Sequence, residues 1–230
     1  MPAPQRYVDW INKNLGFNPR SQTNSHALSA FIVEDLRAAS ASLDSLIRSD
    51  QVSPLINASV ATSVAIRNVD LVLYEKHSLP KLSVSMSVEH KTVMTAHGKA
   101  RLNRYGDIIA YCNHMHNHRR NSVVGATIVI NTSALYRNPD AFAQGLIRPK
   151  FNMDKVVQDT VKVFTGIPLR ESPEDPNDQP EALTVLVVDY DGVRPATLIT
   201  SQPAPTPDMT AHYDSFIARL AKKFEDRFCQ

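Results

Sequence analysis

Asp70 is followed nineteen residues later by Glu89-His90-Lys91. The spacing is that of a single acid, a hairpin's worth of chain, and then an acid and a lysine two residues apart on a strand. Two carboxylates and an amine converging at one sheet edge are what metal-assisted phosphodiester cleavage requires. The carboxylates are hard oxygen ligands suited to Mg²⁺, and the amine can stabilise charge on an attacked phosphate.

The elements that must hold these groups are legible in the hydropathy pattern. Residues 82–91 alternate, with Leu82, Val84, Met86 and Val88 on one face and Ser83, Ser85, Ser87, Glu89 and Lys91 on the other. Successive strand side chains point to opposite faces, so Glu89 and Lys91 share one. That face otherwise carries serines, which leaves room for a partner element or a substrate. Two further strands are expected over 60–66 and 69–74, with a turn at Ser78-Leu-Pro-Lys81. Upstream, Leu28, Phe31, Ile32, Leu36, Ala39, Leu43 and Ile47 recur with helical spacing. They predict one long helix over 25–48, capped by Asn24 or Ser25. Glu34 borders its apolar stripe, near the core yet able to reach a cleft. Downstream, a basic helix is expected over about 99–116, burying Tyr105, Ile108, Ile109 and Cys112, followed by a buried strand over 123–131. The basic residues Lys91, Lys99, Arg101, Arg104, Arg119 and Arg120 cluster here against only Asp107. A polyanion would be held beside the acids.

In these residues the chain resembles the PD-(D/E)XK nuclease superfamily, which includes most type II restriction endonucleases. The matching parts are Glu34 on the first helix, the strand-borne Asp70, and Glu89-His90-Lys91 at a strand end. They follow the helix–three strands–helix–strand order of that family's core, over about residues 24–132. Val69 stands where the family's proline precedes the acid. Arg101-x-x-x-Tyr105 keeps the spacing of an exonuclease-like Gln-x-x-x-Tyr but not its first residue. The resemblance implies that Asp70, Glu89 and the His90 carbonyl bind Mg²⁺, with Glu34 holding a second ion directly or through water. Lys91 would orient the attacking water, and Lys99, Arg101 and Arg104 would grip flanking phosphates. The blander alternative pairs Asp70 with Arg67 and leaves Glu89-Lys91 as a surface ion pair.

The implied fold is α/β, a restriction-endonuclease-like core with a mixed central sheet flanked by helices, plus a C-terminal hairpin and helix. The expected organisation is an N-terminal helical segment (1–22), a catalytic core (23–168), an acidic Pro-rich loop expected to be mobile (169–182), and the hairpin and helix (183–230). The implied function is Mg²⁺-dependent cleavage of double-stranded DNA, as in a type II restriction enzyme acting as a homodimer on a palindromic site. The alternatives are another nuclease of the same superfamily, in repair or defence, and a non-catalytic DNA-binding protein. Candidate base-reading residues are Asn113, Asn117, Arg119 and Arg120.

Composition sets the outer bounds. The 230 residues are 43% apolar and 21% charged, with a formal charge of +2, as expected of a globular domain with a sizeable core. Two cysteines supply no disulfide framework and suit a reducing cytoplasm. No apolar run is long enough to span a bilayer, and the start lacks a secretory signal's apolar core. Neither a membrane nor an organic cofactor is expected. Cys112-Asn-His-Met-His-Asn-His118 offers zinc-type ligands, but residues two apart on a helix diverge by about 200°, so His114 and His116 would not chelate together. Asp191-Gly192 signals a turn rather than a metal site.

Overall fold

The computed structural model describes residues 1–14, 22–62, 64–76, 83–133 and 152–229. Helices α1 (Ala3–Lys13), α2 (Gln22–Ala39) and α3 (Ala41–Arg48) lead into strands β1 (Val52–Ala61), β2 (Ile66–Glu75) and β3 (Ser83–Val93). Helix α4 (His97–His118), strand β4 (Val123–Asn131) and helix α5 (Met153–Thr165) follow. Strands β5 (Ala182–Asp189) and β6 (Thr197–Ile199) and helix α6 (Tyr213–Phe228) complete the order. The turn expected at 78–81 and the loop after β4 lie outside the described residues.

All six strands form one mixed sheet in sequence order. β1, β2 and β3 make an antiparallel meander, β3–β4 and β4–β5 are parallel, and β6 returns antiparallel. A parallel pair needs a crossover, and α4 and α5 supply the two. The helices sort into layers. α1, α2, α3 and α6 bury Tyr7, Leu28, Ile32, Leu43, Phe216 and Leu220 against Leu71, Met86 and Val88 on one face. α4 and α5 bury Ile108, Tyr111, Met115, Val157 and Phe164 against Val84, Ala126 and Ile128 on the other. The result is a three-layer α/β/α arrangement.

Several local expectations change. The 25–48 helix is two helices. Ser40 breaks the run with extended backbone (φ −134°, ψ 107°), and its Oγ accepts from the Leu43 N–H as the N-cap of α3. The first strand begins at Val52, and Pro54 fits within it because β1 is a sheet edge. β5 extends the central sheet through its parallel ladder with β4, whose nine residues are all buried. The C-terminal hairpin is therefore part of the sheet.

The acidic loop is ordered around Arg170. Its fully buried guanidinium donates to the carbonyls of Arg120 (2.9 Å) and Asp175 (3.2 Å) and to Glu181 Oε1 (3.3 Å). Glu181 is itself buried, accepting from Arg227 Nη1 (2.8 Å), the Val124 N–H (2.8 Å) and His116 Nε2 (3.0 Å). Burial alone would raise the Glu181 carboxyl, but these donors outweigh it and hold the group below its ordinary range. Among the described residues, no helix is long and apolar enough to cross a membrane.

Candidate active site

The sheet opens between β2 and β3 where the acids stand. Their ladder runs from Glu75↔Ser83 to Leu71↔Val88 and stops. β1 stays paired with β2 out to Ala61↔Ile66, and β3 with β4 out to Val93↔Ile130. The β1–β2 ribbon also changes course at this level. Val69 packs in the α4-side core and Leu71 in the α2-side core, although strict alternation would put both on one face. Asn57, between the Ile56↔Leu71 and Ala58↔Val69 pairs, has a φ of 56°, a left-handed conformation that asparagine tolerates better than most residues.

At this opening the His90 N–H donates to Asp70 Oδ2 at 2.7 Å instead of to a strand carbonyl. The N–H and C=O of one strand residue point the same way, so the His90 carbonyl faces the same opening. Asp70 and Glu89 are close enough for the Asp70 charge to act on Glu89. Glu89 is 7% exposed, so the surface ion-pair alternative does not hold. Lys91 Nζ donates to Glu89 Oε1, whereas Glu89 Oε2 is buried with no hydrogen-bond partner among the described residues. Burial pushes the Glu89 carboxyl above the usual carboxylate range, with Asp70 adding to the rise and Lys91 opposing it.

The serine-lined face is covered by a partner element. Tyr111 Oη of α4 donates to Ser87 Oγ at 2.7 Å, so Glu89 and Lys91 project into the α4 layer. His90 projects the other way. Ser29 Oγ donates to the Asp70 carbonyl (3.1 Å), so it must accept from His90 Nε2 (2.9 Å), which leaves Nδ1 to accept from Thr127 Oγ1 (2.7 Å). This is a neutral imidazole, in keeping with burial that lowers its pKa to about 4. The ring ties β3 to α2 and β4, and only the backbone carbonyl of His90 remains for a metal.

Glu34 does not join the group. It is exposed and paired with Arg6 of α1. Ser29 is the α2 residue that meets Asp70, and five residues along a helix turn the side chain about 140° away. Sequence offers no signal for Ser29, a small residue between Leu28 and Ile32 that reads as stripe filler. The supposed Asp70–Arg67 pair is also replaced: Arg67 Nε donates to His114 Nδ1 at 2.6 Å.

On α4, Lys99 is exposed in the first turn, Arg101 lies 4.0 Å from Asp159, and Arg104 pairs with Asp107 at 2.6 Å. Tyr105, expected to be buried, is 39% exposed, and Tyr111 takes its place in the core. The four base-reading candidates lie at the far end of α4 and bond within the protein. Asn117 bridges Asn113 and Asn177, Arg119 pairs with Glu75, and Arg120 with Glu174. His114 and His116 diverge toward Arg67 and Glu181 as helical geometry requires. Among the described residues, no three His, Cys, Asp or Glu side chains converge as a metal cluster. Compared with known protein families, curated proteins and solved structures, the chain finds no match.

Proposed function

We propose that the protein is a Mg²⁺-dependent nuclease of the PD-(D/E)XK type acting on double-stranded DNA, with type II restriction cleavage as its most specific form. The observation that carries this is the state of Glu89. Its Oε2 is buried without a hydrogen-bond partner among the described residues, beside a second carboxylate and within an opened sheet. A buried carboxylate oxygen left unsatisfied is costly, and a hard cation is the partner that would relieve it.

Asp70, Glu89 and the His90 carbonyl would hold the ion. Two carboxylates suffice for Mg²⁺, which keeps several of its waters. When bound, the ion supplies Lewis acidity at the scissile phosphate and a water easier to deprotonate. The side chains do the rest. Lys91, one-fifth exposed, is held by Glu89 at the opening, where its ammonium stabilises charge developing on the phosphate. Ser29, His90 and Thr127 fix the two strands that carry the acids. Lys99 reaches the DNA backbone from the start of α4.

Incubation of supercoiled plasmid with Mg²⁺ or with EDTA tests this. Discrete fragments with Mg²⁺ alone support site-specific cleavage, and nicking or smearing supports a less specific nuclease. Intact plasmid under both conditions overturns the proposal. Lys91→Ala lowers cleavage by about 10²–10³-fold or more while largely sparing DNA binding; full retained activity excludes the assigned role.

A further inference from the structure

Arg67 is unusual in its partner. Every other described arginine has a carboxylate within 4.0 Å. Arg67 instead donates through Nε to an imidazole nitrogen of His114 on α4. A guanidinium N–H can only donate, so His114 Nδ1 carries no proton and the ring is neutral with its proton on Nε2. The bond fixes the plane of the guanidinium without neutralising it, and the Nη1/Nη2 fork remains the part suited to a bidentate oxyanion. Its location matches that chemistry. Arg67 lies three residues before Asp70, on the part of β2 that has left the β3 ladder, and its side chain crosses to the α4 layer into which Glu89 and Lys91 project. Its positive charge is felt at Glu89.

We propose that Arg67, oriented by His114, is a phosphate-binding residue that grips the substrate backbone beside the Asp70–Glu89–Lys91 site. This rests on the nuclease reading for the identity of the substrate and adds a contact from β2, on the other side of the sheet opening from Lys91. A neutral histidine suits the role better than a carboxylate would, because it orients the arginine and leaves the full positive charge for the phosphate.

The test is equilibrium binding of a short DNA duplex in Ca²⁺, without turnover, over a range of salt concentrations. Each phosphate contact contributes about 0.9 to the slope of log K against log salt. Arg67→Ala weakens binding and makes the slope shallower by about 1, Arg67→Lys keeps the slope, and His114→Ala weakens binding with a smaller change in slope. Arg67→Gln, which can still donate to His114, repeats the measurement if the alanine variant does not fold. A folded charge-removing variant with an unchanged slope overturns the proposal, as does a wild-type protein that binds no duplex. If the wild type binds without cleaving DNA and the slope still falls in the variant, the phosphate contact stands and the nuclease reading fails. If the wild type cleaves and the slope does not change, the phosphate contact alone fails.

Discussion

Glu89 is held in a state that folding by itself disfavours. A carboxylate with a raised pKa carries its full penalty above the folded value and loses it as pH falls from there towards its ordinary value. Glu89→Gln removes that penalty, keeps an oxygen for Lys91, and places an amide where Oε2 has no partner. The variant is expected to melt higher than the wild type at pH 8, by about 2–4 °C for each kcal/mol relieved, and the gain shrinks at pH 5. Calorimetry at the two pH values checks this; a lower melting temperature at pH 8 counts against the strained state of Glu89. Added Mg²⁺ raises the melting temperature of the wild type through binding linkage and leaves the variant nearly unmoved. Stability given up at one side chain is a common signature of a functional site.

At the scale of elements, the sheet opening depends on how β2, β3 and β4 are anchored away from it. β4 is pinned by α6 across Gly125, where an added Cβ would lie 3.2 Å from both Phe216 and Leu220. Gly125→Ala forces those two core side chains to give way, a cost of about 1–3 kcal/mol. Urea unfolding measures it, and an unchanged midpoint would mean that Phe216 and Leu220 yield without cost and do not pin α6 to β4. The element pattern was largely legible in the sequence because hydropathy periods are local. The buried run of 123–131 and the apolar stripe of α2 follow from local periods, and strand alternation holds from Met86 onward. Val84 instead packs on the α4 side while Met86 and Val88 pack on the α2 side, because a register shift in the β2–β3 ladder interrupts the period. The break at Ser40 follows from no such period, because the apolar stripe continues past it while the backbone is claimed by a cap. Tyr105 stands exposed for a related reason: periodicity selects a helix stripe, but how far along the helix that stripe stays covered depends on neighbouring elements.

For the whole molecule, the buried group of Arg170, Glu181, Arg227 and His116 joins α4, the acidic loop, β5 and α6. Glu181 is held below its ordinary pKa, so its contribution is present above the unfolded value near 4.5 and is lost as pH falls through the folded one. Removing one partner of a buried ionic group costs about 3–5 kcal/mol. Glu181→Gln therefore lowers the urea midpoint sharply at pH 7 and narrows the difference between pH 7 and pH 3; equal midpoints in variant and wild type would assign the network no such weight. In sequence, Glu181 ends an acidic Pro-rich stretch that reads as solvated chain, and no local pattern marks it as buried. The contrast holds across the molecule. That Glu89 and Lys91 share a face and that His114 and His116 diverge follows from bond geometry within one element, and so is readable from residue order alone. Where the β2–β3 ladder ends, that Ser29 rather than Glu34 meets Asp70, and that Arg67 is held by an imidazole are consequences of three-dimensional packing. Those outcomes depend on which distant elements pack together, and no period within a single segment carries that information.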